Sequence, residues 1–282
     1  MEGIAVNFGK TVGIVFCCCV LISVFQTGCA TMGEGGFLAN LNMVSTQEEV
    51  QLGQRFAVEV EKQEKVHSDP ELQAYVREVG QRIARVAPRQ DVTFTFSVID
   101  APDTVNAFAL PGGYIYYYTG LMNICESEAE LAAVMAHEIA HVSARHHGEM
   151  ITRQMGMQTL ADIILGENPR AAASMVTQLF SSGIAARFSR VQEREADQMG
   201  MDILYRAGYQ PEAMVSFMNK LLAYDQQQGG GSHALPIFAT HPSPEERVQL
   251  LQALMQRYPR DQRQERQLGA DRYKAQVLSR IK

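Results

Sequence analysis

The residues best suited to chemistry in this chain are two histidines and a glutamate in the pentapeptide His137-Glu138-Ile139-Ala140-His141. The surrounding run is rich in Ala and free of Gly and Pro, which predicts a helix. Residues four apart share one face of a helix, so both imidazoles can reach one metal ion. Glu138 points elsewhere around the helix, where it can act on the hydrolytic water without being a ligand. The pattern H-E-x-x-H therefore predicts a zinc peptidase with Glu138 as its base.

The alternative to a metal site is an exposed helix that carries two surface histidines. Against it, apolar residues recur at helical spacing, which indicates that the helix is largely buried. These residues are Leu131, Val134, Met135, Ile139 and Val142. Because a buried histidine needs a partner for its ring nitrogens, burial favours metal binding. Such a site also needs a third protein ligand and an open position for water.

The third ligand is expected in Glu193-Arg194-Glu195-Ala196-Asp197, at the start of a second apolar helical pattern. Glu193 and Asp197 are four residues apart and share a face, whereas Glu195 points elsewhere. That spacing suits one metal ligand, Glu193, and one carboxylate that fixes a histidine tautomer, Asp197. The alternative is an exposed acidic helix start.

Together the two helices resemble those of the membrane-associated gluzincin metallopeptidases. This family includes HtpX, the CaaX prenyl proteases and the periplasmic proteases BepA and LoiP, and the periplasmic type is the most similar. Further motifs fit the family: Asn106-Ala107-Phe108-Ala109-Leu110-Pro111-Gly112-Gly113, Gly120-Leu121, Ser189-Arg190, and Thr240-His241-Pro242-Ser243-Pro244 with Arg247. The resemblance covers about residues 45–255. It implies an α+β fold, a mostly helical zincin domain with a small mixed β-sheet beside the active-site helix, and one Zn²⁺ per chain.

The resemblance also implies a sheet edge beside the metal cleft, to which substrate adds as an extra strand through backbone hydrogen bonds. Alternation and aromatic content predict strands at 92–99 and 113–119, with a loop at 106–112 between them. The second strand is placed at the edge. Residues expected to bind substrate are Asn106, Gly113, Tyr114 and Tyr116. For the tyrosines, simple aromatic packing is the alternative.

Two residues near the C-terminal end of the region that resembles the family are expected to complete the site. His241 follows a Gly-rich loop and lies in a turn that can move, and similarity to the periplasmic members implies that it can occupy the fourth position on zinc. An enzyme closed in this way would be latent, because water has no place at the metal. The alternative is that His241 contacts substrate or caps the next helix. Arg247 is expected to stabilise the oxyanion.

Two histidines and an apolar segment lie between the predicted ligands. His146 and His147 are expected at the surface. Residues 150–188 are rich in Met and Ala, which predicts a helical hairpin of ordinary core. The alternatives are a mobile cover over the cleft and a membrane-facing surface.

The N-terminal residues 11–25 form an uncharged apolar block. It is shorter than the roughly 20 residues that span a bilayer and is typical of a signal-peptide core. Gly28-Cys29 resembles the end of a bacterial lipobox, so we expect residues 1–28 to be a lipoprotein signal peptide and Cys29 to be lipidated. Residues 29–44 would then be a tether and residues 45–282 the metallopeptidase domain. An uncleaved anchor and an ordinary cleaved signal are the alternatives.

Composition limits the class of partner. With 282 residues, 46% of them hydrophobic, the chain is long enough for one sizeable core or two small ones. Its formal net charge of −6 gives no electrostatic reason to bind nucleic acid. After signal removal only Cys125 would remain as a free thiol, so no intrachain disulfide is expected.

These observations predict a zinc-dependent endopeptidase that degrades or processes misfolded cell-envelope polypeptides. It would be bound to the periplasmic side of the bacterial envelope, at the outer membrane, by its lipid. One alternative is a metal-stabilised chaperone or assembly factor for outer-membrane proteins, in which Glu138 would have no purpose. Another is an integral-membrane processing protease, which the lack of a second apolar run of sufficient length disfavours.

Overall fold

Hydrogen bonds between residues close in sequence cap the N-termini of the helices that carry the candidate site. The Ser127 hydroxyl accepts a hydrogen bond from the backbone N–H of Glu130 at 3.2 Å, which caps the helix carrying the H-E-x-x-H motif. The Ser189 hydroxyl does the same for Gln192 at 3.2 Å, and the Gln192 side chain accepts from the Ser189 N–H in return. A capping box at Ser45 opens the first described helix, as predicted.

The fold is mostly helical with one small mixed sheet, as predicted. The computed structural model describes residues 42, 44–154, 157–174, 187–228, 235–242, 244–264 and 266–281. The predicted signal peptide, Cys29 and most of the tether lie outside this part. The strands are β1 (Thr95–Ile99), β2 (Ala107–Leu110) and β3 (Tyr114–Tyr118). The helices in the described residues are α1 (Thr46–Gln63), α2 (Pro70–Ala84), α3 (Thr119–Ile124), α4 (Glu128–Ser143), α5 (His146–Gln154), α6 (Met157–Leu165), α7 (Arg190–Arg206), α8 (Glu212–Gln227), α9 (Pro236–Thr240), α10 (Pro244–Met255), α11 (Arg260–Gln264) and α12 (Ala270–Tyr273), with a π-helical turn at Lys274–Leu278.

The sheet has the order β1-β3-β2, with β3 parallel to β1 and antiparallel to β2. The prediction that the strand at 113–119 forms the sheet edge is therefore wrong, because β3 is central. Residues predicted as a loop instead supply β2, which lies at an edge. The reversal between β2 and β3 is made by Gly112 and Gly113, whose φ values of 74° and 98° suit glycine. These glycines fold β2 back onto β3 as a hairpin.

The sheet separates two hydrophobic clusters, and the side chains of β3 alternate between them. Ile115 and Tyr117 belong to the cluster that contains α2, α4, α7 and α8. Tyr116 and Tyr118 belong to the cluster on the α1 side, where the ring of Tyr116 stacks on Phe108 at 5.1 Å. Tyr116 is thus a packing residue on the sheet face opposite α4.

Helix α4 is buried along almost its whole length, so the alternative of an exposed helix with surface histidines is excluded. It packs closely on α7 at Gly200. A Cβ atom at this glycine would lie 3.2 Å from the carbonyl oxygen of Ala136 and the Cα of His137. Because a larger residue would push the two helices apart, Gly200 brings the acidic start of α7 close to the two histidines of α4.

Helices α5 and α6 contribute to the core on the α1 side. Met150, Ile151, Leu160 and Ile163 are buried in that cluster, which confirms core packing for this part of the 150–188 segment. Residues 155–156 and 175–186 lie outside the described part. Within the described part, none of the helices combines the length and apolar character needed to cross a bilayer.

Candidate metal centre

Four side chains from three separate elements converge at one point. His137 and His141 come from α4, Glu193 from the first turn of α7, and His241 directly follows α9. One nitrogen or oxygen atom of each lies within 4.8 Å of all the others, and all four residues are buried. These are the four ligands that the sequence predicts.

The donor atoms face one another at distances that suit a shared cation. The Nε2 atoms of His137 and His141 are 3.1 Å apart, and Nδ1 of His241 lies 3.0 Å from Oε1 of Glu193. Two imidazole nitrogens cannot face each other as bare acceptors without a proton or a cation between them. Three imidazoles and one carboxylate form a donor set that zinc prefers. The residues present therefore fit a bound metal ion.

His137 is oriented by Asp197. The Nδ1 atom of His137 lies 3.1 Å from Oδ1 of this fully buried carboxylate, so the Nδ1–H donates to it and Nε2 faces the cluster, where a metal ion would take the place of its proton. Burial and the charge of Arg247 lower the pKa of His137, but the Asp197 and Glu193 carboxylates outweigh both and raise it to about 9. The structure thus brings Asp197 to the place expected for the tautomer-fixing residue.

Arg247 holds the two carboxylates in place. Its Nε and Nη2 donate to the two oxygens of Asp197 at 2.8 and 2.7 Å, and its Nη1 lies 2.8 Å from Oε2 of Glu193. Such a forked contact fixes the carboxylate geometry as well as neutralising the charge. Burial raises the pKa of Asp197, but Arg247 more than offsets this and keeps the pKa below its usual range. This geometry favours a positioning role for Arg247, whose oxyanion role stays a prediction.

Glu138 borders the cluster without joining it. Its Oε1 lies 3.6 Å from Nε2 of His241, and its buried Oε2 has no hydrogen-bond partner among the described residues. Burial raises the pKa of Glu138, although the nearby His241 and His137 oppose the increase. A buried carboxylate with one oxygen unengaged is suited to accept a proton.

The surroundings of His141 contain two residues that sequence spacing did not reveal. Its Nδ1 lies 3.0 Å from Nδ1 of His146, and its ring stacks on Phe188 with centroids 3.9 Å apart. The prediction that His146 and His147 lie at the surface is wrong, because they are 1% and 4% exposed. The sequence signal for Phe188 was its position just before the N-cap of α7, where an apolar residue often anchors the helix start.

An apolar cleft adjoins Glu138 and His137. It encloses about 440 Å³ with its open mouth included. Helices α4 and α8 and the segment containing α9 form most of its walls. The apolar lining residues are Ala133, Val134, Met214, Phe217, Met218, Leu221, Ile237 and Phe238.

The residues predicted to bind substrate lie elsewhere in the sheet region. Asn106 is buried, and its carbonyl oxygen accepts a hydrogen bond from the Tyr118 N–H at 3.1 Å. Gly113 ends the turn before β3, and Tyr114 and Tyr116 pack on the α1 side. None of the four belongs to the donor cluster or to the cleft lining.

Comparison with known proteins agrees with this site. Residues 70–255 match the profile of peptidase family M48. The beta-barrel assembly-enhancing protease of Escherichia coli K12 is 32% identical over 234 residues, covering 79% of this chain and 47% of that protein. The mitochondrial metalloendopeptidase OMA1 of Schizosaccharomyces pombe is 33% identical over 178 residues, covering 63% of this chain and 51% of that protein. The chain spans about half the length of these relatives. It belongs to the M48 family of metallopeptidases.

Proposed function

We propose that this protein is a zinc-dependent endopeptidase that acts on misfolded or misassembled polypeptides of the bacterial cell envelope. The convergence of His137, His141 and Glu193 beside the unengaged carboxylate oxygen of Glu138 carries the proposal. Three ligands with a nearby base are what metal-dependent hydrolysis requires, whereas a purely structural site needs no base.

In this proposal the two histidines and Glu193 hold the metal ion. A metal ion held there supplies Lewis acidity, which polarises the scissile carbonyl and makes water acidic enough to be deprotonated near neutral pH. Glu138 accepts the proton of the attacking water and returns it to the leaving amine. Asp197 and Arg247 keep His137 and Glu193 in place throughout.

The cleft and the sheet edge support the proposed substrate class. The cleft beside Glu138 is lined mainly by apolar side chains, so it suits an apolar residue next to the scissile bond. Strand β2 lies at a sheet edge and contacts α4, so an extended peptide could add to it through backbone groups. An extended chain with accessible apolar residues is an unfolded chain, so the proposed substrates are unfolded polypeptides. The name of the Escherichia coli relative, which refers to beta-barrel assembly, supports an envelope substrate.

We further propose that the chain acts on the periplasmic side of the outer membrane, with a lipid on Cys29 as its anchor. The apolar block at 11–25 and the Gly28-Cys29 pair support this location. Labelling with a radioactive fatty acid, in the wild type and in Cys29→Ser, tests the anchor. Equal labelling of the two proteins would contradict it.

Proteolysis of an unfolded outer-membrane protein by the purified chain tests the activity. We expect cleavage after zinc is supplied, no cleavage with a chelator present, and cut sites with an apolar residue at one fixed position beside the broken bond. A chain that binds zinc yet cleaves nothing, while still aiding assembly of such a protein, would support the chaperone alternative.

A further inference from the structure

We infer that His146 is a positioning residue that fixes the tautomer and orientation of His141 for metal binding. Glu195 is the last side chain in this row, on the far side of His146. This inference rests on the proposed role of His141 as a metal ligand. The Nδ1 atoms of His141 and His146 are 3.0 Å apart, and Nε2 of His146 lies 3.5 Å from Oε2 of Glu195. Both histidines are almost completely buried, whereas the Glu195 side chain is 56% exposed.

In the row of side chains from His141 through His146 to Glu195, only one arrangement of the protons permits metal binding. Nε2 of His141 faces the donor cluster, 3.1 Å from Nε2 of His137, and must carry a lone pair there. Its proton therefore lies on Nδ1 and is donated to Nδ1 of His146. The proton of His146 then lies on Nε2, which faces Oε2 of Glu195 at 3.5 Å. The opposite arrangement would put a proton on the metal-facing nitrogen of His141 and block binding.

Each histidine of the H-E-x-x-H motif thus has its own partner on Nδ1. For His137 the partner is Asp197, a buried carboxylate held by Arg247. For His141 the partner is a neutral imidazole whose far side reaches a carboxylate near solvent. A partner on the second nitrogen of a ligating histidine orients the ring and raises its basicity.

The backbone conformation after α4 brings His146 next to His141. If α4 continued, residue 146 would lie about 140° around the helix axis from residue 141 and could not reach it. Instead, α4 ends, and Arg145 adopts a left-handed conformation with φ 61°. Arg145 is held there by its contacts: its Nε donates to Oε1 of Glu49 at 3.0 Å, and its Nη2 donates to the carbonyl oxygen of Val44. A non-glycine residue stays in this region only when its surroundings fix it.

The pair of histidines is also shielded from water. Phe188 stacks on the His141 ring at 3.9 Å, and its centroid is 6.2 Å from that of His146. The Phe188 N–H donates to the carbonyl oxygen of Thr240 at 3.1 Å, which ties this aromatic cover to the segment carrying His241. A hydrogen bond in such a dry place is stronger and more directional than one in water.

Zinc affinity of the full-length chain, measured by competition with a chromophoric chelator, tests the inference. In His146→Asn, the side-chain oxygen lies about as far from the backbone as Nδ1 of histidine does, so it can still accept the proton of His141. His146→Leu removes the acceptor. His147→Leu is the matched control, because His147 is an adjacent buried histidine whose ring centroid is 6.3 Å from that of His141. We expect His146→Leu to bind zinc about 10- to 100-fold more weakly, and His146→Asn and His147→Leu to stay within about threefold of wild type.

Nitrogen NMR of histidine-labelled protein gives a second readout that a mere packing role would not change. In the zinc-loaded wild type and in His146→Asn, we expect His141 to be protonated on Nδ1, with a slowly exchanging imidazole proton. In His146→Leu that proton should exchange at least tenfold faster. Circular dichroism of each variant shows whether it is folded.

The outcomes separate the inference from the proposed function. If wild type binds no zinc, the proposed function fails. If wild type binds zinc and His146→Leu binds it equally well, only the inference fails. Equal losses in the Asn and Leu variants would also overturn it, since they would show that His146 acts through ring packing instead of through its hydrogen bond.

Discussion

The Nε2 atom of His241 lies 3.6 Å from Oε1 of Glu138. The other ring nitrogen, Nδ1, lies 3.0 Å from Oε1 of Glu193. One imidazole therefore contacts both the proposed base and a proposed metal ligand. With a metal ion held here as we propose, His241 would occupy the position of the hydrolytic water and would lie beside the group that deprotonates it.

We predict that His241→Ala binds zinc more weakly than wild type but cleaves an unfolded substrate, or itself, faster. Removing a fourth ligand lowers affinity, while the vacated position admits water. A zinc titration beside a proteolysis assay measures both effects. Loss of activity with unchanged zinc affinity would instead assign His241 to substrate binding or catalysis.

Glu138→Gln is expected to retain about one equivalent of zinc and to lose proteolysis by several orders of magnitude. The amide keeps the shape of the side chain but cannot accept the proton. Metal analysis and single-turnover cleavage on the same preparation test this. Loss of zinc from the variant would show that Glu138 is itself a ligand.

For Glu193→Ala we predict that metal content and zinc-dependent stability fall together, because affinity for a metal in the folded state adds to the free energy of unfolding. Asp202→Ala on the same helix is the control, since the Asp202 side chain is exposed and its ion pair with Arg206, at 3.6 Å, lies at the surface. Metal analysis and thermal unfolding with and without zinc give the comparison. Equal zinc content in Glu193→Ala and wild type would place the third ligand elsewhere.

Arg247→Met should destabilise the metal-free protein by about 3–5 kcal/mol, because it leaves the buried carboxylates of Glu193 and Asp197 without their cation. Arg190→Met is the control: Arg190 pairs with Glu246 at 3.2 Å, but both side chains are exposed, so a change below about 1 kcal/mol is expected. Urea unfolding in the presence of a chelator measures both. Similar losses in the two variants would argue against a structural role of the buried ion pairs.

The sequence was sufficient where local spacing decides the structure. The positions of His137 and His141 on one helical face, and the cap at Ser127, follow from rules that act within a few residues. The spacing of Glu193 and Asp197 on one helical face also predicts a ligand and a tautomer-fixing carboxylate, because the two histidines need such partners. Residue types and spacing therefore predict three of the donors, whereas the place of His241 in the cluster was expected only from the family resemblance.

Other features depend on backbone geometry that spacing does not reveal. Strand β2 lies at the sheet edge because Gly112 and Gly113 reverse the chain between β2 and β3. The sequence does not reveal this, because the same two glycines are equally compatible with the end of a loop. A continued α4 would point His146 away from His141, so residue spacing gives no sign of their contact. Only the left-handed turn at Arg145, held by Glu49 nearly a hundred positions earlier, brings it inward.

The donor cluster joins three stretches of chain that are far apart in sequence: α4, the start of α7 and the residue after α9. A chain that has formed α4 alone has two histidines and no third donor, so it cannot bind zinc tightly. The donor cluster, and with it the proposed peptidase activity, thus forms only when tertiary folding brings these three stretches together. A newly made copy of the proposed peptidase therefore cannot act on other unfolded chains before it has itself folded.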